Sequence, residues 1–378
     1  MNTIIKDYKI DLQIDKPKNK TKVVVAMSGG VDSSVVAALA HSSGYDVVGI
    51  TMQLYDQGKI LKSKGACCAG QDIYDARMAA EMIGIPHYIL DYESRFKESV
   101  INDFVESYIR GETPLPCVRC NQSVKFHDLL KFTNELNADA LLTGHYVQRI
   151  EGEEGPELHK GLDPNKDQSY FLFATTKEQL QKLYFPLGGH DKTTTREIAK
   201  FFNLNVAEKK DSQDICFVGG GSYKDIIKDI RPDAFLKGDI LHMEGFRLGS
   251  HDGIINYTIG QRRGLGVSYH NPLYVIKLDP VNNIVFVGEE KYLNTYDFYI
   301  KEVNWLLNYE KSIVKDLAVM VKIRSTQKEI DAKISYINED LFKVSIVNGA
   351  SAVTPGQACV IYQDQRILGG GWIINHDK

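Results

Sequence analysis

The sequence contains no run of apolar residues near the about 18 that a membrane span requires, and its polar, lysine-rich start has no apolar stretch of the secretory-leader kind. Asp7, Asp11 and Asp15 interrupt that start with acid and argue against a transit peptide, so residues 1–21 are expected to be a loose extension. Positive charge is not in excess. Lys and Arg number 45 against 49 Asp and Glu, a formal net charge of −4. That balance argues against indiscriminate binding to nucleic acid, while a local basic face is still allowed. Six cysteines in 378 residues are too few for a disulfide scaffold. In a reducing cytoplasm, the expected location, they are thiols, metal ligands or catalytic groups. There is no internal repeat and no low-complexity tract.

What is present is globular composition, 43% hydrophobic and 25% charged, over a length suited to two or three domains. Charge is uneven. Glu151, Glu153, Glu154 and Glu157 form an acidic loop, and basic residues recur at Lys209-Lys210, Arg262-Arg263, Lys322 and Arg324. Between residues 22 and 147 strand and helix patterns alternate. Strands are expected at 22–27, 46–52, 86–90 and 140–143, and helices at 33–41, 72–83, 93–109 and 123–136. That alternation predicts an α/β fold with a parallel sheet covered by helices on both faces. Ligands of such sheets sit at the carboxyl ends of the strands. After Phe217 a glycine joint (219–221) and a short helix (223–230) give way to short β-branched runs separated by turns, among them Asn282-Asn283 and 363–365. The division expected is an N-terminal extension (1–21), a nucleotide-binding catalytic domain (22–218), a small central linking domain (219–288) and a C-terminal β-barrel (289–378).

The loop Ser28-Gly29-Gly30-Val31-Asp32-Ser33-Ser34 follows the first strand and opens the first helix. Two glycines allow a tight turn with exposed backbone N–H groups, three serines add hydroxyls, and the helix start adds its positive dipole end. No Gly-Lys-Ser/Thr follows, so the loop is not a Walker A motif. It resembles the pyrophosphate loop, SGGxDSS, of the ATP pyrophosphatase (PP-loop) superfamily. That likeness implies cleavage of ATP between the α and β phosphates, with Asp32 helping to hold Mg²⁺.

Cys117-Val118-Arg119-Cys120 is expected in a loop, because Pro114 and Pro116 precede it, with Cys120 just ahead of a helix whose dipole, with Arg119 and Lys125, favours thiolate. Cys216 lies in a polar stretch next to the glycine joint. Three chemistries compete for the CxxC: a zinc or iron–sulfur site, which lacks a second ligand pair unless Cys67 and Cys68 serve; a thioredoxin-like redox pair; and sulfur transfer between Cys120 and the distant Cys216. Cys359, in an apolar strand, reads as inert, and Cys67 and Cys68 read as structural.

Taken together, AMSGGVDSS (26–34), TPLPCVRCNQSVKF (113–126), TGHYV (143–147), KDQSYFL (166–172), SQDICF (212–217), YTIGQRRGLG (257–266) and TPGQ (354–357) resemble the tRNA-specific 2-thiouridylase family in that family's order. The resemblance covers nearly all of the chain after Lys22. It implies an adenine nucleotide α hydrolase-like domain, a small central domain and a C-terminal β-barrel. It implies ATP binding by Ala26, Met27, Ser28, Gly29, Gly30, Val31, Asp32, Ser33, Met52 and Gly144. Cys120 corresponds to the nucleophile and Cys216 to the persulfide carrier. Leu115, Pro116 and Cys117 correspond to the stretch at the target base, and His145, Lys166, Asp167, Gln168, Arg324, Ser325 and Gln357 to tRNA contacts. No resident metal site is implied. Where many members carry Asp, this chain has Cys117.

The reaction implied is adenylation of C2 of a wobble uridine in tRNA, then sulfur transfer from a persulfide loaded by a sulfur-relay or cysteine desulfurase protein. Cys120 and Cys216 would end as a disulfide. The alternatives are a nucleotide-loop ligase of the amidotransferase or argininosuccinate synthetase type, and a nucleotide-sensing RNA-binding protein without turnover. Arg262-Arg263 is either a solvated surface pair or a phosphate grip.

Overall fold

The computed structural model describes residues 8–55, 68–211, 215–218, 221–339 and 341–375. The chain divides into two compact units, Met1–Ser99 with Arg119–Gly219, and Val100–Val118 with Gly220–Lys378.

In the first unit the strands are β1 (Lys22–Ala26), β2 (Asp46–Gln53), β3 (His87–Asp91), β4 (Ala140–Leu142), β5 (Val147–Gly152), β6 (Gly155–Lys160) and β7 (Leu183–Tyr184). Five of them form a parallel sheet in the order β3-β2-β1-β4-β7. β1 reads KVVVA, and Val23, Val24 and Val25 are fully buried, as a central parallel strand with both faces covered requires. Helix Val31–Ser42 packs a nearly all-apolar surface into the same core as Val23, Val25 and Leu142. The expected strands and helices of this region are found within a few residues of their expected ends, helix Cys68–Ile83 starting earlier than expected.

Three local expectations are overturned. Residues 8–21 are a packed strap rather than a loose extension. Leu12 is buried in the main core, with Tyr8, Ile10 and Ile14 packed against it. The Ile10 N–H donates to Ser43 Oγ (2.8 Å), the Leu12 N–H to Tyr45 Oη (2.9 Å), and Lys16 Nζ to Asp139 (2.7 Å). The lysines and aspartates of this segment hide a period-two apolar row at positions 8, 10, 12 and 14. The acidic loop is a hairpin, β5 paired antiparallel with β6. Two of its glutamates are engaged within the hairpin, Glu151 in an ion pair with Arg149 and Glu157 in a hydrogen bond with His159 (2.8 Å). The CxxC is helical, since Pro116–Cys120 is an α-helix. A proline in a first turn has no N–H to lose, so Pro116 starts this helix where the sequence pattern suggested a loop.

In the second unit, helix Tyr223–Ile230 begins at a capping box formed by Ser222 and Asp225. β8 (Gly238–His242), β9 (Arg247–His251), β10 (Tyr274–Asp279) and β11 (Ile284–Gly288) form a small sheet in the order β10-β11-β8-β9. The expected turn at Asn282-Asn283 joins β10 to β11, with the Asp279 carboxylate accepting from the Val281 and Asn282 N–H groups. β12 (Asn294–Trp305), β13 (Leu317–Lys322), β14 (Ile330–Asn338), β15 (Leu341–Ser351), β16 (Ala358–Gln363) and β17 (Arg366–Ile374) run antiparallel in the order β12-β15-β14-β13-β16-β17. Pairing of β12 back to β17 closes the expected barrel. Closure removes the exposed edges, and Ile300, Val321, Ile334, Val344 and Ile361 fill the interior. Cys359 lies in this core, where burial pushes its thiol well above the ordinary range, as befits an inert cysteine.

Candidate active site

The site is built at the carboxyl end of β1. The Met27 N–H still donates to Ile50 O (2.7 Å), and Thr51 Oγ1 donates to Met27 O (2.8 Å), so the strand is held up to the point where the loop departs. Gly29 then adopts φ +74°, and a Cβ there would lie 2.0 Å from the backbone oxygen of Asp72. Only glycine fits. Gly30 is the N-cap of helix Val31–Ser42, so the first-turn N–H groups of a twelve-residue helix open onto the loop. Hydroxyls tie the turn to itself: the Ser28 N–H donates to Ser33 Oγ (3.1 Å), and Ser34 Oγ donates to Gly30 O (3.0 Å).

Gly144 comes to the same place from the end of β4. A Cβ there would lie 2.9 Å from Ser33 N and 3.0 Å from Asp32 Cβ, so its lack of a side chain permits the approach. Met52 lies two positions beyond Ile50, the β2 residue opposite Ala26, and so projects past the end of β1. The expected nucleotide residues Ala26, Met27, Ser28, Gly29, Gly30, Val31, Asp32, Ser33, Met52 and Gly144 are therefore gathered at one end of the sheet.

Of the groups around the loop, Lys192 and Arg196 carried no motif and were missed in the sequence, whereas Tyr146 lies in TGHYV, Lys166 was expected as a tRNA contact and Lys209 stands in a noted basic pair. Lys192 Nζ, at the first turn of helix Lys192–Phe201, lies 2.7 and 2.9 Å from the two Asp32 carboxylate oxygens. Tyr146 Oη donates to Asp32 Oδ1 (2.8 Å), and its ammonium neighbour Lys192 sits over its ring at 5.7 Å. Burial and the Asp32 charge raise the Tyr146 pKa, so the phenol stays a donor. Lys209 Nζ donates to Gly29 O (2.9 Å) and pairs with Asp72 (2.7 Å) and Asp75 from beside the loop. Burial lowers its pKa, but the two carboxylates outweigh that and raise it overall. Asp211 receives Lys166 (2.7 Å), Lys192 (2.9 Å) and Arg196 (3.1 Å). Burial opposes its ionisation, yet these cations hold it below the usual carboxylate value.

Lys166, Asp167 and Gln168 lie beside this network. Asp167 accepts from Gly161 N (2.9 Å) and Ser169 Oγ (2.7 Å), and Gln168 Oε1 accepts from Tyr146 N (2.9 Å). These two side chains brace the segment that presents Tyr146. His145 is held by Thr143 Oγ1 (2.9 Å) and packed edge-on against Phe126 and Phe185. Burial, helped by Lys125, pushes its pKa down to about 3, so it is a neutral hydrogen-bonding group rather than a phosphate-binding cation.

Cys120 and Cys216 both fall in this first unit. Cys120 is buried at the end of helix Pro116–Cys120, directly before a π-helical turn, Asn121–Lys125. Such turns recur at functional sites. Cys120 thus lies inside a continuous helical stretch rather than ahead of a helix. Cys216 is exposed in a turn. Its carbonyl accepts from Tyr55 Oη (2.8 Å), and the next residue, Phe217, is buried against Phe96 at 5.7 Å. Ser212, Gln213, Asp214, Cys67 and the Cys68 side chain lie outside the described residues. Among the described residues no group of three or more His, Cys, Asp or Glu is placed to hold a metal.

In the second unit the segment leading to exposed Cys117 is fastened to the turn after β15. The Thr113 N–H donates to Pro355 O (2.8 Å), and Gln357 Nε2 donates to Thr113 O (2.9 Å). Gly356, at φ +85°, would place a Cβ 2.9 Å from Glu112 Cβ and 3.0 Å from Thr113 N and O. Arg324 Nη2 holds the same turn through Ala352 O (2.7 Å) and Thr354 Oγ1 (3.2 Å). Arg324, Gln357 and the stretch Leu115, Pro116, Cys117 are thereby joined through Thr113, with half-buried Ser325 adjacent.

A parallel sheet whose first strand runs into a serine–glycine loop, followed by a small sheet and a closed barrel, defines a nucleotide-loop protein with appended β-domains. Three family descriptions match in that order: tRNA methyl transferase HUP domain over residues 21–220, tRNA methyl transferase PRC-barrel domain over 224–289, and aminomethyltransferase beta-barrel domain over 295–373. The tRNA-specific 2-thiouridylase MnmA of Rickettsia bellii is 62% identical over 95% of this chain and 98% of its own length. That of Rickettsia massiliae is 61% identical over 94% and 97%. The chain belongs to the tRNA-specific 2-thiouridylase family.

Proposed function

We propose that this protein is a tRNA 2-thiouridylase that adenylates C2 of the wobble uridine with ATP and replaces its oxygen with sulfur. The observation that carries the reading is that the serine–glycine loop, Cys120 and Cys216 belong to one compact unit. The ATP phosphates take the loop N–H groups and the start of helix Val31–Ser42, with Lys192 and Lys209 as the nearby cations. Mg²⁺ suits the carboxylate oxygens of Asp32 and would offset phosphate charge. Residues 22–218 act as the catalytic domain, 219–288 as the linker and 289–378 as the barrel that helps hold tRNA, in a cytoplasmic setting. Among the described residues no helix is long and apolar enough to cross a membrane.

The O2 oxygen of uridine attacks the α-phosphorus and pyrophosphate leaves, turning O2 into a good leaving group as AMP. A sulfur-relay or desulfurase protein loads Cys216 as a persulfide. The Cys120 thiolate attacks the inner sulfur of Cys216. This forms a Cys120–Cys216 disulfide and releases hydrosulfide, which attacks C2 and expels AMP. If the terminal sulfur attacks C2 first, the same disulfide forms when Cys120 frees the thiouridine. An external thiol returns both cysteines to the reduced state. In the second unit, Leu115, Pro116 and Cys117 flank the flipped base, with Arg324 and Gln357 fixing that stretch and Ser325 contacting tRNA. In the first unit, His145 and Lys166 are tRNA contacts. The test is incubation with ATP, Mg²⁺, a persulfide source and unmodified tRNA, followed by mass spectrometry of nucleosides. A gain of sulfur on uridine is expected, and tRNA-dependent pyrophosphate release without any such gain would overturn the reading.

A further inference from the structure

The loop between residue 257 and β10 carries Arg262-Arg263, the basic pair that the reaction above does not use. This loop is pinned rather than loose. The Gly260 N–H donates to Val275 O (2.8 Å), and the Val275 N–H donates to Gln261 O (3.0 Å). The Gln261 side chain spans the loop, accepting from Thr258 N (3.0 Å) and donating to Arg263 O (2.9 Å). Leu265 is buried as an anchor between Gly264 (φ +74°) and Gly266 (φ +70°). The two arginines therefore project from a fixed backbone.

Both arginines are exposed, and among the described residues neither guanidinium has an ion-pair or hydrogen-bond partner. Arg95, Arg110, Arg149, Arg196, Arg231 and Arg247, by contrast, each sit on a carboxylate. The stretch 257–274 contains no Asp or Glu, in a chain whose net charge is −4. Arg262 lines a groove of about 460 Å³ together with Leu265, Tyr269, His270 and Asn271. The Tyr269 and His270 rings lie 4.0 Å apart, and Tyr269 continues towards His242 at 5.3 Å and Phe246 at 6.1 Å. Glu289 of the same small domain is engaged by His242 at 3.2 Å.

Unpaired guanidinium groups beside an aromatic surface, on a glycine-opened loop, match what single-stranded or looped RNA offers: phosphates for the arginines and base faces for the rings. We propose that the Arg262–Tyr269 loop is a second RNA-contact site, gripping backbone phosphates of the tRNA. The proposal rests on the tRNA-substrate reading above.

The experiment is titration of unmodified tRNA against the full-length protein from 50 to 300 mM KCl, with Arg262→Gln/Arg263→Gln, Arg262→Lys/Arg263→Lys and His270→Ala variants. Each phosphate that is no longer neutralised should lower the salt slope by about 0.7–0.9. The double Gln variant is expected to bind about tenfold more weakly at 100 mM salt, with the slope reduced by about 1 to 2, and pyrophosphate release at saturating tRNA unchanged. The double Lys variant should keep the slope, and His270→Ala should weaken binding without changing it. An unchanged slope and affinity in the double Gln variant overturns the proposal. So does protection of the wild-type protein, but not the variant, by inorganic phosphate in thermal melts with RNA binding unaffected, which would mark a small-anion site. Wild-type thiolation is read in parallel: its loss removes the tRNA-substrate reading, whereas intact thiolation with an unchanged slope removes only the groove.

Discussion

Lys192 Nζ straddles the Asp32 carboxylate at 2.7 and 2.9 Å, joining the loop at the end of the first strand to a helix 160 residues later in the chain. The same ammonium touches Asp211 at 2.9 Å, so one cation bridges two carboxylates. When phosphates arrive, Lys192 is a positive group already at the loop, on the side of Asp32. Replacing it with Met should lower tRNA-dependent pyrophosphate release by about 100-fold or more, the scale seen when one preorganised donor to a reacting charge is removed. Lys192→Arg should restore part of the rate. Near-normal release from Lys192→Met would show that the pair is only a brace.

The two cysteines should separate the half-reactions. Cys120→Ser and Cys216→Ser are each expected to abolish sulfur gain on uridine while leaving pyrophosphate release within about threefold of wild type, since adenylation needs neither thiol. Cys117→Ser should retain sulfur gain. Nucleoside mass spectrometry and a pyrophosphate assay on the same samples decide it. A nucleotide-loop ligase that amidates or condenses would tolerate both serine changes.

Gly356→Ala probes the fastening of residue 113. An L residue at φ +85° costs about 1–2 kcal/mol, and the new Cβ would press on Glu112 and Thr113 at 2.9–3.0 Å. The thermal midpoint should fall by a few degrees. Displacement of the segment leading to Cys117 should lower kcat while leaving the KM for ATP unchanged. A fall in stability with full kcat would mean that the turn supports only the barrel.

His145 gives a pH signature. Its folded pKa, about 3, lies below the ordinary histidine value of 6.5. Below about pH 6.5 the unfolded chain takes up a proton that the folded chain refuses, so this contribution is intact above that pH and is lost as pH falls towards 3. The loss approaches about 1 kcal/mol per pH unit. His145→Gln should therefore show a flatter decline in stability between pH 7 and pH 5 in urea titrations. His87, His190 and His251 are also lowered by burial, but they contribute equally to both proteins and cancel in the difference. Parallel declines would place His145 in contact with water.

The parallel sheet, the loop and the barrel were legible because each rests on short-range pattern: an apolar run into SGG, then β-branched runs broken by turns. Helix Pro116–Cys120 was misread because proline reads as a breaker unless its place in the first turn is known. The strap at residues 8–21 was misread because its apolar row is interleaved with charge. The contacts of Lys192, Lys209 and Tyr146 with the loop were invisible for a different reason. Lys192 carries no motif, Lys209 read only as part of a basic pair and Tyr146 only as part of TGHYV, and each reaches Asp32 or Gly29 only when strands and helices far apart in sequence bring it there.

For the persulfide proposed on Cys216, the ring of Phe217 against Phe96, with the Tyr55 hydroxyl on the preceding carbonyl, sets how far its sulfur would travel. A thiol one residue from a moored aromatic sweeps little more than the arc of its own side chain. Freight carried that way needs the supplier to come alongside, because the carrier cannot go out to meet it. Lengthening the reach would mean casting off the mooring, and a Phe217→Ala protein should accept sulfur from bulkier or less well-matched suppliers while handing it on less faithfully.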